Sequence, residues 1–306
     1  MALTLAEASK LSNDMLLQGV VETIIKDSPI LQRLPFIEIM GNGLTYNRED
    51  TLPSIDFYDV GDTWVESTPT FTQVTANLKI MGGDADVDNF LKSTRSNIQD
   101  LEAAVIELKA KALRDKFEET FIYGDSSANP KQFDGLRKLI DTTQASDQVI
   151  AMGATGATLT LSKLDELIDA VKGGKPDMLL MSRRSRRKIN SLVRAAGGMM
   201  ETDRDKWGNF VQFWDGVPIG VNDWILDTHT VSGGVETATT GGTCSTIYAV
   251  QFGEGALCGL TSPGFIQAEP VGPLENKDAS RTRVKWYVSL ALFSSVKAAA
   301  LIGVKD

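Results

Sequence analysis

Residues 96 to 140 constrain this chain more than any other stretch: a long amphipathic pattern stops in GDSSANPKQFDGL, a glycine, asparagine and proline turn followed by a new apolar run. Ile98, Leu101, Val105, Leu108 and Ala112, then Leu113, Phe117 and Phe121, recur at three- and four-residue steps. That spacing puts them on one stripe of a helix with about 3.6 residues per turn. Lys109, Lys111, Arg114, Asp115, Glu118 and Glu119 fill the other face. Ser96 followed by Gln99 fits a capping box, Asp100 suits the positive end of the helix dipole, and Gly124 supplies a C′ stop. From Ser96 to Tyr123 the helix would rise roughly 40 Å at about 1.5 Å per residue, long for an ordinary globular helix, so the feature speaks of architecture.

Size and charge narrow the rest. A chain of 306 residues exceeds the size at which one core keeps growing, so about two domains are expected, and 42% hydrophobic content is enough to build them. The net charge of −9 argues against the whole protein binding nucleic acid through phosphate neutralisation, and leaves only local contact open. Cys244 and Cys258 have neither CxxC spacing nor histidine partners and read as buried free thiols in a reducing compartment. MALTLAEASKLSNDMLL lacks the basic start and unbroken apolar core of a targeting segment. The apolar run Tyr287 to Val304 is interrupted by Ser289, Ser294, Ser295 and Lys297, so it reads as a buried strand and a short final segment, not as a membrane span.

Ahead of the long helix the pattern is extended. Residues 4 to 26 carry a helical spacing (Leu5, Ala8, Leu11, Met15, Leu16, Val20, Ile24) with too little apolar surface to fold alone. Ile37 and Ile39 alternate with Glu38 before a Gly41-Asn42-Gly43 turn, and Val74, Ala76, Leu78 and Ile80 alternate with Thr75, Asn77 and Lys79. These two runs predict the legs of a hairpin. Between them Tyr46 to Thr72 is a long loop without a core of its own, the kind that carries function or is ordered by a partner. Phe57, Tyr58 and Trp64 are odd choices for a solvated tip and point to contact with another subunit, the alternative being a small cluster under the loop.

After the turn, helix and strand patterns alternate. Ser162 to Val171 predicts a capped helix, Met178 to Met181 a short buried strand, and Arg183 to Ala196 another helix; Trp214 to Val221 holds a strand with a DGVPIG turn, and Ile247 to Phe252 a further strand. The class is α+β with a central sheet, and a closing strand from Arg283 to Phe293 is expected beside the long helix.

Chemistry is sparse. The single histidine, His229, reads as a surface loop residue; it excludes a histidine-based zinc set, and no GxSxG accompanies it. Gly253, Gly255 and Gly259 are followed by Thr261-Ser262-Pro263-Gly264, which fits a turn between strands better than a dinucleotide loop. Asp84, Asp86 and Asp88 imitate a calcium loop that fails at Asn89 and Arg95; an acidic strand end, exposed or facing a neighbour's arginines, is the better reading. Arg183, Arg184, Arg186, Arg187 and Lys188 crowd the start of a helix, where the dipole disfavours cations. Something outside the helix should compensate them, either nucleic acid or, the preferred reading, the acidic surface of an identical subunit. No catalytic residue, cofactor or metal ligand is assigned.

The succession of an N-terminal arm, a two-legged loop, a long spine helix, GDSSANPKQFDGL, LSKLDELIDAV, PDMLLMSRRSRRKINSL, FWDGVPIG, YAVQFGEGALCGL and WYVSLALFSSVKAAALIGV resembles the tailed-bacteriophage major capsid proteins of the HK97-type fold. The resemblance implies an N-arm over residues 1–35, an E-loop over 36–82 lying over a neighbour, a P-domain from 83–135 and 264–306 with its spine helix at 96–123, and an α/β A-domain over 136–263. It implies a structural protein and not an enzyme: a virion head subunit that assembles in the host cytoplasm as pentamers and hexamers of itself and encloses the genome. Separate scaffolding, portal and decoration proteins, weak local contact with packaged DNA and no membrane complete the expected partners. Phe57, Tyr58, Trp64 and the Arg183–Lys188 cluster are the expected intersubunit contacts. Some relatives crosslink through an E-loop lysine, but residues 27 to 78 contain none, so no such crosslink is expected; the initiating Met1 suggests a scaffold supplied by a separate protein. An encapsulin-type compartment shell, or a soluble enzyme with an unrecognised carboxylate site, are the alternatives.

Overall fold

The computed structural model describes residues 3–4, 28–51, 55–68, 70–90, 101–204 and 210–306. The helical spacing of the arm beyond Thr4 and the Ser96–Gln99 capping box lie outside these residues. Chain order begins with β1 (Leu3–Thr4), β2 (Pro35–Glu38), β3 (Gly43–Thr51), β4 (Thr70–Asn77) and β5 (Lys79–Asp88), followed by the long helix α1 (Leu101–Tyr123) and the short α2 (Leu136–Ile140). Then come β6 (Val149–Ala151), β7 (Ala157–Thr158), α3 (Leu161–Ala170), β8 (Met178–Met181), α4 (Arg183–Ala195), β9 (Glu201–Arg204), β10 (Phe210–Trp214) and β11 (Val217–Val221). The chain closes with β12 (Thr230–Ser232), β13 (Val235–Ala238), β14 (Ser245–Val250), β15 (Leu257–Pro273), β16 (Ala279–Leu292) and β17 (Ala298–Lys305).

Two sheets organise these elements. A five-stranded sheet runs β1-β2-β15-β16-β5, and an eight-stranded sheet runs β6-β17-β14-β8-β11-β10-β9 with β7 beside β17. In the larger sheet the two-residue period of a strand sorts side chains to two faces. Leu179, Met181, Ile247, Ala249, Ala299 and Leu301 face the core that holds Leu164 and Leu167 of α3 and Ile189 and Val193 of α4. Their neighbours Met178, Leu180, Tyr248, Val250, Ala300 and Ile302 face the core that holds α1 and α2. Being covered on both sides, β8, β14 and β17 read as continuous apolar runs, as strands buried on two faces do. The sheets divide the chain differently from the expected domain boundaries at two places: β15 enters the five-stranded sheet at Leu257, and the last strand, β17, pairs with β14 and β6.

Helix α1 lies against the five-stranded sheet, with Phe117 stacked on Trp286 of β16 at 5.0 Å between ring centroids, so the closing strand does run beside the long helix. Its buried stripe differs from the predicted one. Ile106, Ala110, Leu113, Phe117 and Phe121 are buried, whereas Leu108 is 64% exposed and Ala112 is also exposed. Stepping back from Phe117 by four, seven and eleven residues reaches Leu113, Ala110 and Ile106, the phase that a period of about 3.6 demands; the leucine at 108 falls off that line. Glu118, expected on the polar face, is only 8% exposed. Gly124 does end the helix, but through close approach and not a left-handed C′ geometry: a Cβ there would sit 2.2 Å from the Phe133 carbonyl oxygen. Gly135 donates to the Gly124 carbonyl across the returning turn at 2.8 Å.

The hairpin legs also shift. The paired strands are β3 and β4, in antiparallel register from Gly43 with Asn77 to Thr51 with Thr70. The expected first leg, containing Ile37, instead pairs in parallel with β15 inside the five-stranded sheet, and Ile80 belongs to β5 on β16. The alternation around Ile37 is that of a half-buried strand between β1 and β15, which carries the same period as a hairpin leg.

Candidate functional site

The hairpin of β3 and β4 carries residues 55–68 at its end, and there Phe57 and Val60 are fully exposed and Trp64 is 78% exposed. The tip is nevertheless shaped. Tyr58 and Trp64 stack at 4.4 Å with an interplanar angle of 24°, and the Tyr58 hydroxyl accepts from the Val65 amide at 3.2 Å. The Asp59 amide donates to the Asp62 carboxylate at 2.7 Å, closing a turn around Gly61, whose φ of 101° suits glycine. A local cluster and an exposed apolar surface therefore coexist at this tip: the stack organises it, and Ile55, Phe57, Val60 and Val65 remain uncovered by described residues. The two aliphatic flanks, Ile55 and Val65, went unremarked in the sequence although they stand out among its acids and hydroxyls.

At its base the hairpin is tied down. The Tyr46 hydroxyl donates to the Leu292 carbonyl at 3.1 Å, Arg48 Nε donates to the same oxygen at 2.9 Å, and the Tyr46 ring lies 4.7 Å from Phe293. The free end and the anchored base define a lever.

The arginine cluster at the start of α4 is compensated largely from within the chain, which corrects the expectation that its partners come from outside. Arg183 forms a two-pronged pair with Asp223 at 2.5 Å on both prongs. Arg184 lies 3.5 Å from Asp227 and 3.7 Å from Asp306, and donates to the Thr243 carbonyl at 2.9 Å. Arg187 reaches Asp306 at 3.8 Å. Ser182 caps the helix by accepting from the Ser185 amide and itself donates to Asp227 at 2.7 Å. The unfavourable cation placement at a helix N-terminus is thus offset by three carboxylates that sit at least 40 residues away in sequence. No carboxylate among the described residues lies within ion-pair distance of Arg186 or Lys188. Arg186 is exposed and borders a cleft of about 570 Å³ between α1 and α4, shared with Arg114, Glu118, Arg183, Val221 and Trp224.

His229, expected on a surface loop, is fully buried and forms the centre of a polar network. Its Nε2 lies 2.7 Å from the Tyr123 hydroxyl, which accepts from the Leu226 amide and so is free to donate to the ring. Its Nδ1 lies 2.9 Å from the Thr246 hydroxyl and 3.4 Å from Glu236. Glu236 in turn takes Arg137 Nε at 2.6 Å and the Thr142 hydroxyl at 3.3 Å. Burial opposes the Glu236 charge, yet His229 and Arg137 hold its carboxyl below the usual glutamate value, while burial pushes the Tyr123 hydroxyl well up. The network joins the ends of α1 and α2 to β13 and β14 and sits in the interior, so it serves as a joint.

The acidic run of β5 is likewise settled within the chain: Asp86 takes Arg281 at 2.6 Å and Asp84 takes Arg283 at 2.7 Å, across the antiparallel β16. No cluster able to hold a metal occurs among the described residues. Cys244 and Cys258 are free and buried, as expected, and burial pushes the Cys258 thiol up to about 12. Gly253 and Gly255 form the turn that hands the chain from one sheet to the other, whereas Gly259 and Thr261–Gly264 lie within β15, where a Cβ at Gly259 would sit 2.3 Å from the Phe36 ring. No helix of the described residues is long and apolar enough to cross a membrane.

Against this geometry, the family described as Major capsid protein GP7 matches residues 12–162, 151 of the 306. No curated protein matches the sequence. Among solved structures, the chain is similar to the holo-SrpI encapsulin of Synechococcus elongatus PCC 7942, with a TM-score of 0.67, 18% identity, and coverage of 100% of this chain and 97% of that one. It is similar to the capsid of a native GTA particle (TM-score 0.63, 14% identity, 92% and 90% covered) and to a chain of Mycobacterium phage Bobi (TM-score 0.62, 16% identity, 98% and 98% covered). At these identities the solved structures establish the fold, and it is the HK97-type α+β fold that the order of sequence elements resembles.

Proposed function

We propose that this chain, which has the HK97-type fold and matches the family described as Major capsid protein GP7 over residues 12–162, is a structural shell subunit that assembles with its own copies and closes shells by laying its hairpin tip over a neighbouring subunit. In this reading β3, β4 and residues 55–68 form the E-loop, α1 is the spine of a peripheral domain built on the five-stranded sheet, and the eight-stranded sheet with α3 and α4 is the axial domain that meets its copies in rings of five and six. Phe57, Tyr58 and Trp64 are the contact residues of the tip. In the α4 cluster Arg186 and Lys188 take that role, because the carboxylates that answer Arg183, Arg184 and Arg187 are already supplied. Scaffolding, portal and decoration proteins, a packaged genome touched by weak local contacts, and assembly in the host cytoplasm belong to the same proposal.

The observation that carries it is the tip itself: an ordered, apolar surface at the end of a lever, with its hydrogen bonds running inside the tip and with Ile55, Phe57, Val60 and Val65 uncovered by described residues. Burial of such a surface on a neighbour gains about 25 cal/mol per Å², and many modest copies of one contact add up in a closed shell. Deleting residues 45–70 should leave a folded monomer, by circular dichroism, that forms no closed particles in electron micrographs. Particles of normal size from that deletion would refute the proposal. The encapsulin likeness, at the TM-score of 0.67, favours a second reading as a compartment shell; particles that enclose protein and no nucleic acid would establish it.

A further inference from the structure

The direction of each proton around His229 follows from its neighbours. The Tyr123 hydroxyl accepts from the Leu226 amide at 2.9 Å, so its own hydrogen needs another acceptor, and His229 Nε2 at 2.7 Å is the one beside it. A bare Nε2 puts the ring hydrogen on Nδ1, which faces the Thr246 hydroxyl at 2.9 Å. Thr246 in turn donates to Glu236 Oε2 at 3.4 Å, the oxygen that also takes the Thr142 hydroxyl, while Arg137 holds Oε1. A one-way chain therefore runs from the Leu226 amide through Tyr123, the imidazole and Thr246 to the Glu236 carboxylate, and it fixes the Nδ1–H tautomer. The backbone of residue 229 is pinned to that of Cys244 by two hydrogen bonds, at 2.9 and 3.1 Å, so only side chains can answer a change in this chain.

One added proton upsets the chain at one end only. On an imidazolium, Nε2 becomes a donor, and the Tyr123 hydroxyl, still receiving the Leu226 amide, loses the acceptor of its own hydrogen. At the other end Nδ1 already stands 3.4 Å from Glu236 and gains a charge opposite to it. The titratable and charged groups around the ring are Tyr123 from α1, Arg137 from α2, Glu236 from β13, and Asp227 two residues back. Tyr248 from β14 stands within electrostatic reach of Tyr123, Arg137 and Glu236, and Cys244 meets His229 through its backbone. Burial pushes both tyrosine hydroxyls up, so they stay protonated. Burial opposes the Glu236 charge, but His229 and Arg137 hold its carboxyl below the usual glutamate value, so it remains an anion in mild acid. We propose that His229 is an acid-operated latch: neutral, it holds Tyr123 and with it the C-terminal end of α1; protonated, it turns to Glu236 and lets Tyr123 go. Two arrangements of one ring thus set how tightly the long helix is coupled to the eight-stranded sheet.

His229 is the single histidine of the chain, so its ring signals identify themselves in a nuclear magnetic resonance spectrum. The full chain, held as the monomer and carrying isotopically labelled histidine, should show a bare Nε2 and a protonated Nδ1 at the alkaline end of a titration. Both nitrogens should reach the imidazolium position between about pH 8 and pH 5, the span in which histidine serves as a switch. Over the same span the hydrogen-exchange protection of the Leu226 amide should fall about tenfold, the factor that 1.4 kcal/mol carries, with the midpoint of the ring, while Ile247 within β14 keeps its protection. Tyr123→Phe should leave Leu226 weakly protected at both ends of the titration, with no step. Glu236→Gln removes the second partner and should move the ring and amide midpoints together to lower pH. An Nε2–H tautomer at the alkaline end, a ring that titrates while Leu226 keeps its protection, or a ring that stays neutral until the protein unfolds overturns the inference; so does a step that survives Tyr123→Phe.

Discussion

The His229 centre and the hairpin tip are two polar-rich, irregular parts of one chain with opposite bookkeeping. Around His229, residues from four distant elements (Tyr123, Arg137, Glu236 and Thr246) are drawn together until the imidazole and carboxylate both have partners. At the tip, bonds span seven residues or fewer, and the apolar side chains meet no cover from the rest of the described chain. The first region has completed its interactions on folding; the second has arranged itself and stopped. Ordering a loop without burying its apolar surface leaves a cost in conformational entropy without its return, and in a self-assembling subunit that return comes on association. Stability of the monomer and competence to assemble should therefore be separable by mutation.

The largest effect tests the finished side of that contrast. Trp286 is fully buried, stacks on Phe117, lies 5.5 Å from Phe36 and donates to the Thr261 hydroxyl at 3.1 Å. Trp286→Ala should cost about 3–5 kcal/mol, and it leaves the Thr261 hydroxyl its bond to the Tyr287 carbonyl at 3.2 Å. Denaturant melts of the monomer should show it; a loss below about 1 kcal/mol would mean that α1 does not depend on β16 for its seat.

How much of this was legible in the chain depended on the range of the interaction. Met178–Met181 and the helix that begins at Arg183 were read correctly because a strand or helix imprints its period locally. The phase of α1 was misread because Leu108 is as good an apolar residue as Ile106 or Ala110 when only spacing is judged; which line is buried is decided by Trp286 and the sheet, over 150 residues on. His229 looked like a loop residue because it follows Asp227 and Thr228, and nothing nearby announces Tyr123 or Glu236. The exposed aromatic character of the tip was legible because aromatic residues among acids and hydroxyls are conspicuous without any knowledge of the fold. The cleft was not, since its walls come from α1 and from residues 183–224, and the compensation of Arg183 by Asp223 required the turn after β11 to return beside α4.

The His229 network gives a smaller, pH-dependent effect. Glu236 has its carboxyl held below the ordinary glutamate value by His229 and Arg137, so its charged form is favoured in the folded state. That contribution is full above the unfolded value, near pH 4.3, and is lost as pH falls through the lower, folded value. Glu236→Gln should lower monomer stability by about 1.5–3 kcal/mol at neutral pH, the range for hydrogen bonds to charged groups, and should flatten the acid limb of the stability profile. A variant as stable as wild type at pH 7, with an unchanged acid limb, would show that the joint between α1 and the eight-stranded sheet does not rest on this carboxylate.

The smallest change in the monomer should come from the tip, where it is most informative. Phe57 is fully exposed and Trp64 largely so, so Phe57→Ser leaves no cavity and should shift the monomer by no more than about 0.5 kcal/mol, the usual range for surface sites. Trp64→Ser removes the stack on Tyr58 and should add only a local loosening, visible as lost near-ultraviolet dichroism. In assembly the proposed contact reverses the order: if the tip lies on a neighbour, both substitutions remove apolar surface repeated in every subunit, and particle yield at a fixed concentration should fall further for Phe57→Ser than for Trp286→Phe, which replaces one ring by another in the core. If Phe57→Ser instead assembles like wild type while lowering the melting temperature, the tip is covered by its own chain, and the separation between a finished interior and an unfinished loop fails.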